Sequence, residues 1–271
     1  MPLLRPAALP ALVAVVIAGH GIGGGWHAAH AGAWPAPEGA TLAIAKLSHS
    51  KAPQGFDAAG RLIPGADFEK TEFEIYAEHG LRETVTLVLK PAFQNVRAGS
   101  EVKHGLASIE AGLRTRLHRF ADGSVVSAQA AAIVPGGKFD RDHPLLTSGH
   151  GDVEARLLYG QPADFFGLVG FTDMQLAWRR RGGPPADEIR VDATYGVDLG
   201  EDWAIALGAQ AVATVGEVRA PFTHYRAQKI QGSLRYSLGG GRHLEVGGLR
   251  TVSGAGTVRE TGIFIAVWSA F

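Results

Sequence analysis

The sequence predicts an all-β chain that folds as a single antiparallel barrel of about twelve strands across a membrane. Three observations predict this fold. Apolar and polar side chains alternate over stretches of about ten residues, the connectors alternate between short and long, and no apolar run is long enough for a transmembrane helix. Because successive side chains of a strand point to opposite faces, such stretches suit a wall with lipid on one side and a polar interior on the other.

The N-terminal residues have the pattern of a signal peptide. Arg5 precedes an apolar run over residues 7–18, which is too short to span a bilayer but suits the apolar core of a secretion signal. A small-x-small cleavage site ends at Ala31, and cleavage after Ala18 is the alternative. We therefore expect a signal peptide at 1–31 and one barrel domain at 32–271.

Three histidines, His20, His27 and His30, lie between the two possible cleavage sites. Such a cluster could bind a transition metal if the signal peptide ended at Ala18. Cleavage after Ala31, the interpretation that we favour, removes all three. We therefore expect neither a metal site nor a cofactor in the barrel.

Alternation of side chains is clearest in residues 71–78, where apolar residues share one face and three glutamates share the other. On a helix these charges would spread around most of the circumference, so the pattern favours a strand. Residues 152–159 and 188–195 repeat it. The predicted strands cover residues 40–49, 71–80, 84–96, 105–118, 124–134, 152–160, 165–178, 187–198, 203–215, 226–238, 243–253 and 262–271.

The connectors between these strands alternate in length. This alternation is typical of bacterial outer-membrane barrels, which have short periplasmic turns and longer extracellular loops. Short connectors are predicted at 81–83, 119–123, 161–164, 199–202 and 239–242. Longer ones, rich in Gly, Pro and charged residues, are predicted at 50–70, 97–104, 135–151, 179–186, 216–225 and 254–261.

Aromatic side chains concentrate near the short connectors and the C-terminus. A girdle of aromatic residues at a membrane interface requires that placement, whereas a soluble β-sandwich would scatter them more evenly. The residues expected in this girdle are Tyr76, Phe120, Tyr159, Phe165, Phe166, Tyr195, Trp203, Tyr236 and Trp268.

The chain ends in an amphipathic stretch that closes with Phe271. A C-terminal Phe on such a strand is a common ending of Gram-negative outer-membrane barrels. There the last strand pairs with the first, so that no backbone group is left unpaired in the bilayer. We expect Trp268 and Phe271 to form the signal that the barrel-assembly machinery reads. Ser269 stands at a position where such signals often carry an aromatic residue.

Four segments of the chain resemble a class of small Gram-negative outer-membrane β-barrel proteins, many of them known only as porin-like or transporter-like. These segments are 33–39, 56–62, 76–87 and 267–271. The resemblance extends over essentially all of residues 32–271 and implies a barrel in the bacterial outer membrane. Its motifs specify architecture and not chemistry.

Assigning the apolar face to lipid places many charged side chains in the interior. A Lys or Arg on the lipid face near the midplane would cost about 2–4 kcal/mol, which favours this assignment. These charges either form a structural ladder of ion pairs that fills the barrel or line a wet channel that selects polar or charged solutes. The expected pore-lining residues are Glu72, Glu74, Glu78, Lys90, Glu110, Arg114, Arg116, Glu154, Arg156, Glu188, Arg190, Asp192, Lys229 and Arg235, with Glu245 also inward.

One group of residues offers an alternative chemistry. Ser148 and His150, with His143 and Asp152 nearby, supply a hydroxyl, an imidazole and a carboxylate, the groups that a barrel-wall lipid hydrolase or acyltransferase would need. Ser and His two positions apart on a Gly-rich loop are a frequent coincidence, so we expect a solvated loop and no catalytic residue. A non-conducting structural barrel is the third possibility.

Composition limits the partners of the protein. The chain has 26 basic and 26 acidic residues and no cysteine. Its neutral net charge argues against nucleic acid, and the lack of Cys excludes disulfides and thiol chemistry. We expect as partners the outer-membrane lipids, lipopolysaccharide, the barrel-assembly machinery and a small polar solute. The run 179–181 of three arginines contacts lipopolysaccharide phosphates or is simply solvated.

Overall fold

The computed structural model describes residues 32–137 and 147–271. The expected signal peptide at 1–31, with both possible cleavage sites and its three histidines, lies outside the described residues, and so does His143. Within the part of the chain that is described, no helix is long and apolar enough to cross a membrane.

The protein is a closed antiparallel β-barrel. Consecutive strands pair with each other, and the sheet closes because β1 pairs with both β2 and β13. Twelve long strands form the wall, and the two-residue β12 pairs with the outer end of β1. The strands are β1 (Thr41–Phe56), β2 (Leu62–Arg82), β3 (Val85–Ala98), β4 (Glu101–Arg119), β5 (Val125–Pro135), β6 (Asp152–Phe165), β7 (Leu168–Arg180), β8 (Asp187–Asp198), β9 (Trp203–Val215), β10 (Arg226–Gly239), β11 (Arg242–Ala255), β12 (Thr257–Val258) and β13 (Thr261–Ala270).

The last residue takes part in closing the barrel. Phe271 donates its backbone N–H to the carbonyl of Thr41 at 2.9 Å and accepts the N–H of Thr41 at 2.7 Å. The pairing continues along β13 from Leu42↔Ala270 to Lys51↔Thr261. Closure satisfies the backbone groups of the first and last strands against each other, as a bilayer requires. The predicted barrel and its number of long strands are confirmed.

Two outer connectors are much shorter than predicted. The expected loops 50–70 and 97–104 are mostly strand, because β1 to β4 continue well beyond the apolar belt. Cross-strand ion pairs stabilise these extensions: Lys51 Nζ lies 3.6 Å from Glu69 Oε1, and Arg97 also pairs with Glu69. These extensions contain Pro and Gly and are interrupted by a β-bulge between Ala52 and Gln54, so they lack the alternation by which the membrane-spanning strands are recognised.

One of the short periplasmic turns lies at a different position from the one predicted. The residues predicted as the short connector 161–164 belong to β6, and the chain reverses at Phe166 and Gly167. Both residues have positive φ, 53° and 80°, as the central residues of a two-residue hairpin turn require. The prediction placed the turn at Pro162, but Pro162 pairs with Phe171 within the ladder.

The outer surface of the barrel is apolar along most of each strand. Large apolar side chains there are strongly exposed, among them Leu113 at 52%, Leu157 at 51% and Leu207 at 60%. The alternate residues on the same strands are buried inside the barrel. This distribution inverts that of a soluble protein and suits a surface covered by lipid hydrocarbon.

The predicted aromatic girdle is correct in part. Phe120, Phe165, Phe166, Trp203 and Tyr236 are exposed on the outer surface near the short turns. Tyr159 and Tyr195 lie half-buried on the same outer face, and Tyr195 packs edge-on against Phe165 with ring centroids 5.9 Å apart. Tyr76 and Trp268 contradict the prediction, because strand alternation turns both rings into the interior, where they pack in one apolar cluster.

Residues 32–36, which precede β1, lie inside the barrel at the end that carries the short turns, and residues 37–39 are exposed there. Ala33 is completely buried and Ala36 is 7% exposed. Glu38 forms a parallel bridge with Gly80 of β2, and Gly39 donates its N–H to the carbonyl of Gly80 at 2.8 Å. The chain therefore enters the first strand from within the barrel.

Candidate functional site in the barrel interior

The charged residues expected inside the barrel lie on the buried face of their strands. Most are less than a tenth exposed, and Arg116 and Asp192 are half-buried. The structure therefore brings them into one interior, although their role in lining a pore stays a prediction. The residues are Glu72, Glu74, Glu78, Lys90, Glu110, Arg114, Arg116, Glu154, Arg156, Glu188, Arg190, Asp192, Lys229, Arg235 and Glu245.

An ion-pair ladder occupies the side of the interior formed by β3 to β8. Glu154 lies at its centre, 2.9 Å from Arg156 Nη2 and 2.8 Å from Arg179 Nη2. Arg179 also reaches Glu110 across two strands at 3.4 Å, and Lys90 binds the same carboxylate at 3.3 Å. Each charge in this part of the ladder has an opposite charge beside it, which offsets the free energy of burying it.

The ladder continues to the periplasmic and extracellular ends of the same strands. Toward the periplasm, the guanidinium of Arg114 pairs with Glu78 at 2.5 Å across the intervening β3, and Tyr76 donates its hydroxyl to the same carboxylate. In the middle, Arg156 donates to Asp192 at 2.6 Å across β7. Side chains from β2 to β8 therefore bond to each other over the inner surface.

At the extracellular end, three side chains bind the carboxylate of Glu188. Arg190 Nη1 and the Tyr225 hydroxyl donate to it at 3.0 and 2.8 Å, and Arg181 pairs with it as well. Arg181 also lies 2.8 Å from Asp152. Burial, and then the charge of Glu188, raise the pKa of Tyr225 well above its ordinary value, so the hydroxyl keeps its proton and acts as a donor.

Sequence reasoning missed two members of this ladder, Arg179 and Arg181. Both were assigned to an outer connector with Arg180, because β7 was predicted to end at residue 178. Only Arg180 is exposed. Continuing the alternation of β7 by one residue would have found Arg179, which is in phase with the buried Ala177.

The opposite side of the interior, formed by β1, β2, β11 and β13, carries hydroxyl groups beside charged side chains such as Lys46 and Glu74. We call it the polar wall and define it by Lys46, Ser48, Ser50, Glu74 and Thr251, all less than a tenth exposed. Ser50 pairs in register with Gly262 of β13, a position without a side chain. Lys46 pairs in register with Glu74, and its ammonium lies 4.3 Å from the centroid of the Phe264 ring.

Several polar atoms of the polar wall have no hydrogen-bond partner among the described residues. They are Lys46 Nζ, Ser50 Oγ, Glu74 Oε2 and Thr251 Oγ1. Burying such groups in a dry interior is unfavourable by about 1–3 kcal/mol each, whereas contact with water or a polar solute removes that cost. These atoms are enclosed in the structure, so they would meet water or a polar solute where the interior opens beside them. A recess lined by Arg190, Asp192, Gln210, Val212 and Lys229 lies in the adjacent wall of β8 to β10.

Of the residues proposed for acyl transfer, the three that the structure describes, Ser148, His150 and Asp152, do not form a triad. The one hydrogen bond of the Ser148 hydroxyl goes to the backbone carbonyl of His150 at 3.4 Å, so the described residues give it no imidazole partner. His150 is exposed, and Asp152 is bound by Arg181 and by the N–H of Gly182 at 3.0 Å. Nor do the described residues contain a group of three or more His, Asp or Glu side chains that could hold a metal ion.

The two residues expected to form the assembly signal point in opposite directions. Trp268 is buried in the interior, where its indole N–H donates to Glu245 at 2.7 Å and Arg235 stacks on the ring. Phe271 is 75% exposed on the outer face. Recognition of either residue by the assembly machinery stays a prediction.

Comparison with known proteins identifies the fold. No protein-family model and no curated protein matches the chain. Among solved structures, the COG4313 outer membrane channel from Pseudomonas putida F1 superposes with a TM-score of 0.70 at 13% identity, over 87% of this chain and 96% of that one. The NanC porin superposes with a TM-score of 0.56 at 6% identity, over 83% and 98%. The chain therefore has the fold of bacterial outer-membrane β-barrel channels.

Proposed function

We propose that this outer-membrane barrel is a passive channel for small polar solutes. The observation that carries the proposal is the polar wall, where buried ammonium, carboxylate and hydroxyl atoms lack partners among the described residues. A column of water and polar solute along this wall would satisfy these groups. On the opposite side each charge of the ladder lies beside an opposite charge, although some atoms of Glu78, Arg114 and Arg181 also lack a hydrogen-bond partner among the described residues.

The ion-pair ladder supports the same proposal by narrowing the interior. Long side chains from β3 to β8 reach across neighbouring strands, as Arg179 does to Glu110, and they occupy that half of the barrel. The remaining path runs beside the short side chains of Ser48 and Ser50. A path that is lined by both charge signs favours hydrated polar solutes over apolar ones, because apolar solutes cannot replace the hydration of these groups.

We also propose lipopolysaccharide as the lipid partner of the outer half of the barrel. Exposed cations lie at the extracellular ends of the strands, above the apolar belt, where phosphorylated lipid headgroups would lie. Lys51 and Arg250 both pair in register with Thr261, so they flank one position of the wall. Exposed cations of this region include Lys51, Arg97, Arg180, Arg226 and Arg250. Replacing Arg97 and Arg250 by Gln should reduce the lipopolysaccharide that co-purifies with the barrel.

The channel proposal is tested by planar-bilayer recording of folded protein. Folding is checked first by heat-modifiable migration on gels, and liposome swelling with neutral sugars then tests the passage of polar solutes. We expect discrete conductance steps and swelling that slows as the sugar becomes larger. Residues 32–37 lie in the interior, so the recording is repeated after their deletion. If neither the unmodified barrel nor this deletion variant conducts, the proposal is wrong.

A further inference from the structure

The segment that precedes β1 is held inside the barrel by side chains of the wall. The N–H of Ala33 donates to Asp173 Oδ2 of β7 at 2.7 Å, and the carbonyl of Ala33 accepts the Ser127 hydroxyl of β5 at 2.5 Å. Further along, the N–H of Ala36 donates to Thr86 Oγ1 of β3 at 2.9 Å. The segment 32–37 thus passes over the periplasmic ends of several strands. It is hydrogen-bonded to their side chains and does not pair with a strand backbone.

The indole of Trp34 packs this segment against the inner surface of the barrel. Its N–H donates to the carbonyl of Gly123 at 3.3 Å, and its ring meets Phe171 edge-on with centroids 6.5 Å apart. Phe171 in turn belongs to a buried apolar cluster with Ile44 and Trp268 from the opposite side of the barrel. Aromatic and aliphatic side chains therefore bridge the interior from β7 to β1 and β13 at the periplasmic end.

Two glycines of the wall make room for this segment. A Cβ on Gly160 of β6 would lie 2.6 Å from ring atoms of Trp34 and 2.9 Å from Cβ of Ala33. A Cβ on Gly80 of β2 would collide with the carbonyl oxygen of Pro37. Since neither glycine has a positive φ, the close approach of the segment, and not the backbone conformation, is what excludes a side chain there.

We propose that residues 32–37 are a plug that narrows the periplasmic end of the channel and that displacement of the plug widens the path for solute. The proposal rests on the channel function argued above and assigns its regulation. The plug is attached to the barrel by a few side-chain hydrogen bonds and one wedged indole, whereas each strand is held by complete ladders on both sides. It is consequently the part of the described interior that moves with the least disruption of the wall.

The experiment displaces the plug without altering its own residues. Gly160→Val puts a branched side chain where Trp34 lies, and the expected result is a single-channel conductance several-fold above that of the parent. The matched control is Gly232→Val on β10, where an added Cβ would meet its nearest neighbour, Leu207, at an ordinary 3.5 Å. The control should conduct like the parent. If Gly160→Val does not fold, deletion of residues 32–37 replaces it.

A second measurement reports the position of the plug independently of conductance. The chain has no cysteine, so Ala33→Cys provides a single thiol at a fully buried position. A water-soluble maleimide should label it slowly in the otherwise unchanged barrel and at least tenfold faster when Gly160→Val is added. The Gly232→Val control should leave the labelling slow.

The two readouts separate failure of the plug from failure of the channel. Faster labelling with unchanged conductance overturns the plug and leaves the channel in place. Unchanged labelling, together with unchanged conductance after deletion of 32–37, also overturns the plug. Faster labelling in a barrel that is silent in every variant shows that the channel function itself is wrong, and the plug proposal fails with it.

Discussion

Arg179 on β7 and Glu154 on β6 face each other as register partners inside the barrel, with Nε of the arginine donating to Oε2 of the glutamate at 2.9 Å. Their side chains are 5% and 1% exposed. Pairing two charges so far from bulk water is favourable only because Arg156 and Glu110 complete the network around them. This pair belongs to the ion-paired side of the interior, and the polar wall forms the other side.

Removing the carboxylate of Glu154 should destabilise the barrel strongly. Glu154→Ala leaves Arg156 and Arg179 without their shared partner, and we expect a loss of about 3 kcal/mol in the free energy of unfolding. Urea unfolding in lipid, followed by tryptophan fluorescence, measures it. Val153→Ala, on the lipid face of the same strand, is the control and should change little. A loss below about 1 kcal/mol for Glu154→Ala would indicate that water screens the ladder.

Narrowing the polar wall should reduce conductance. Ser50→Leu adds three carbon atoms to the side of the interior where we place the path, and we expect the single-channel conductance to fall by about twofold or more. Ala45→Leu on the same strand points to lipid and serves as the control. Equal conductance for the two variants would show that ions do not pass along β1.

The charges of the polar wall should control ion selectivity in opposite directions. Lys46→Gln removes a positive charge beside the path and should shift the reversal potential in a salt gradient toward cations. Glu74→Gln, its register partner, should shift the potential toward anions. Shifts of the same sign, or none from either variant, would contradict a path between these two residues.

A charge on the outer surface should destabilise the barrel according to its depth in the membrane. Leu113 lies midway along the apolar outer face of β4 and is 52% exposed. We expect Leu113→Arg to lower the free energy of unfolding by about 2–4 kcal/mol, because the guanidinium would face hydrocarbon. Leu199→Arg, in a short inner turn, should cost at most about 1 kcal/mol. Similar losses at both positions would argue against the assigned membrane belt.

Much of this site followed from alternation alone. Glu72 and Glu74 were predicted inside correctly because Phe73, the residue between them, suits lipid, and adjacent side chains of a strand point to opposite faces. The same rule, applied strictly, would have turned Tyr76 and Trp268 inward, but their closeness to short turns suggested the girdle instead. Arg179 was missed because the boundary of β7 was set two residues too early.

Other features could not be read from local patterns. The outer extensions of β1 and β2 contain Pro53, Pro64 and Gly65, and a bulge between Ala52 and Gln54 interrupts their ladder, so their sequence resembles a loop. Residues 32–37 contain Gly, Pro and Trp with no periodicity, so nothing in the order of residues indicates that the segment turns back into the barrel. The hydrogen bonds from Asp173 and Ser127 and the space beside Gly160 account for it.

The sequence by itself determined that the chain is one barrel, which residues face lipid and which face the interior, because that choice depends on a two-residue period within each strand. The tertiary structure alone decided which charges meet. Arg114 reaches Glu78, and Arg156 reaches Asp192, over an intervening strand. Such contacts depend on the closure and register of the whole barrel, which bring residues far apart in sequence to one level. Closure also forms the periplasmic opening of the interior, which the segment before β1 occupies.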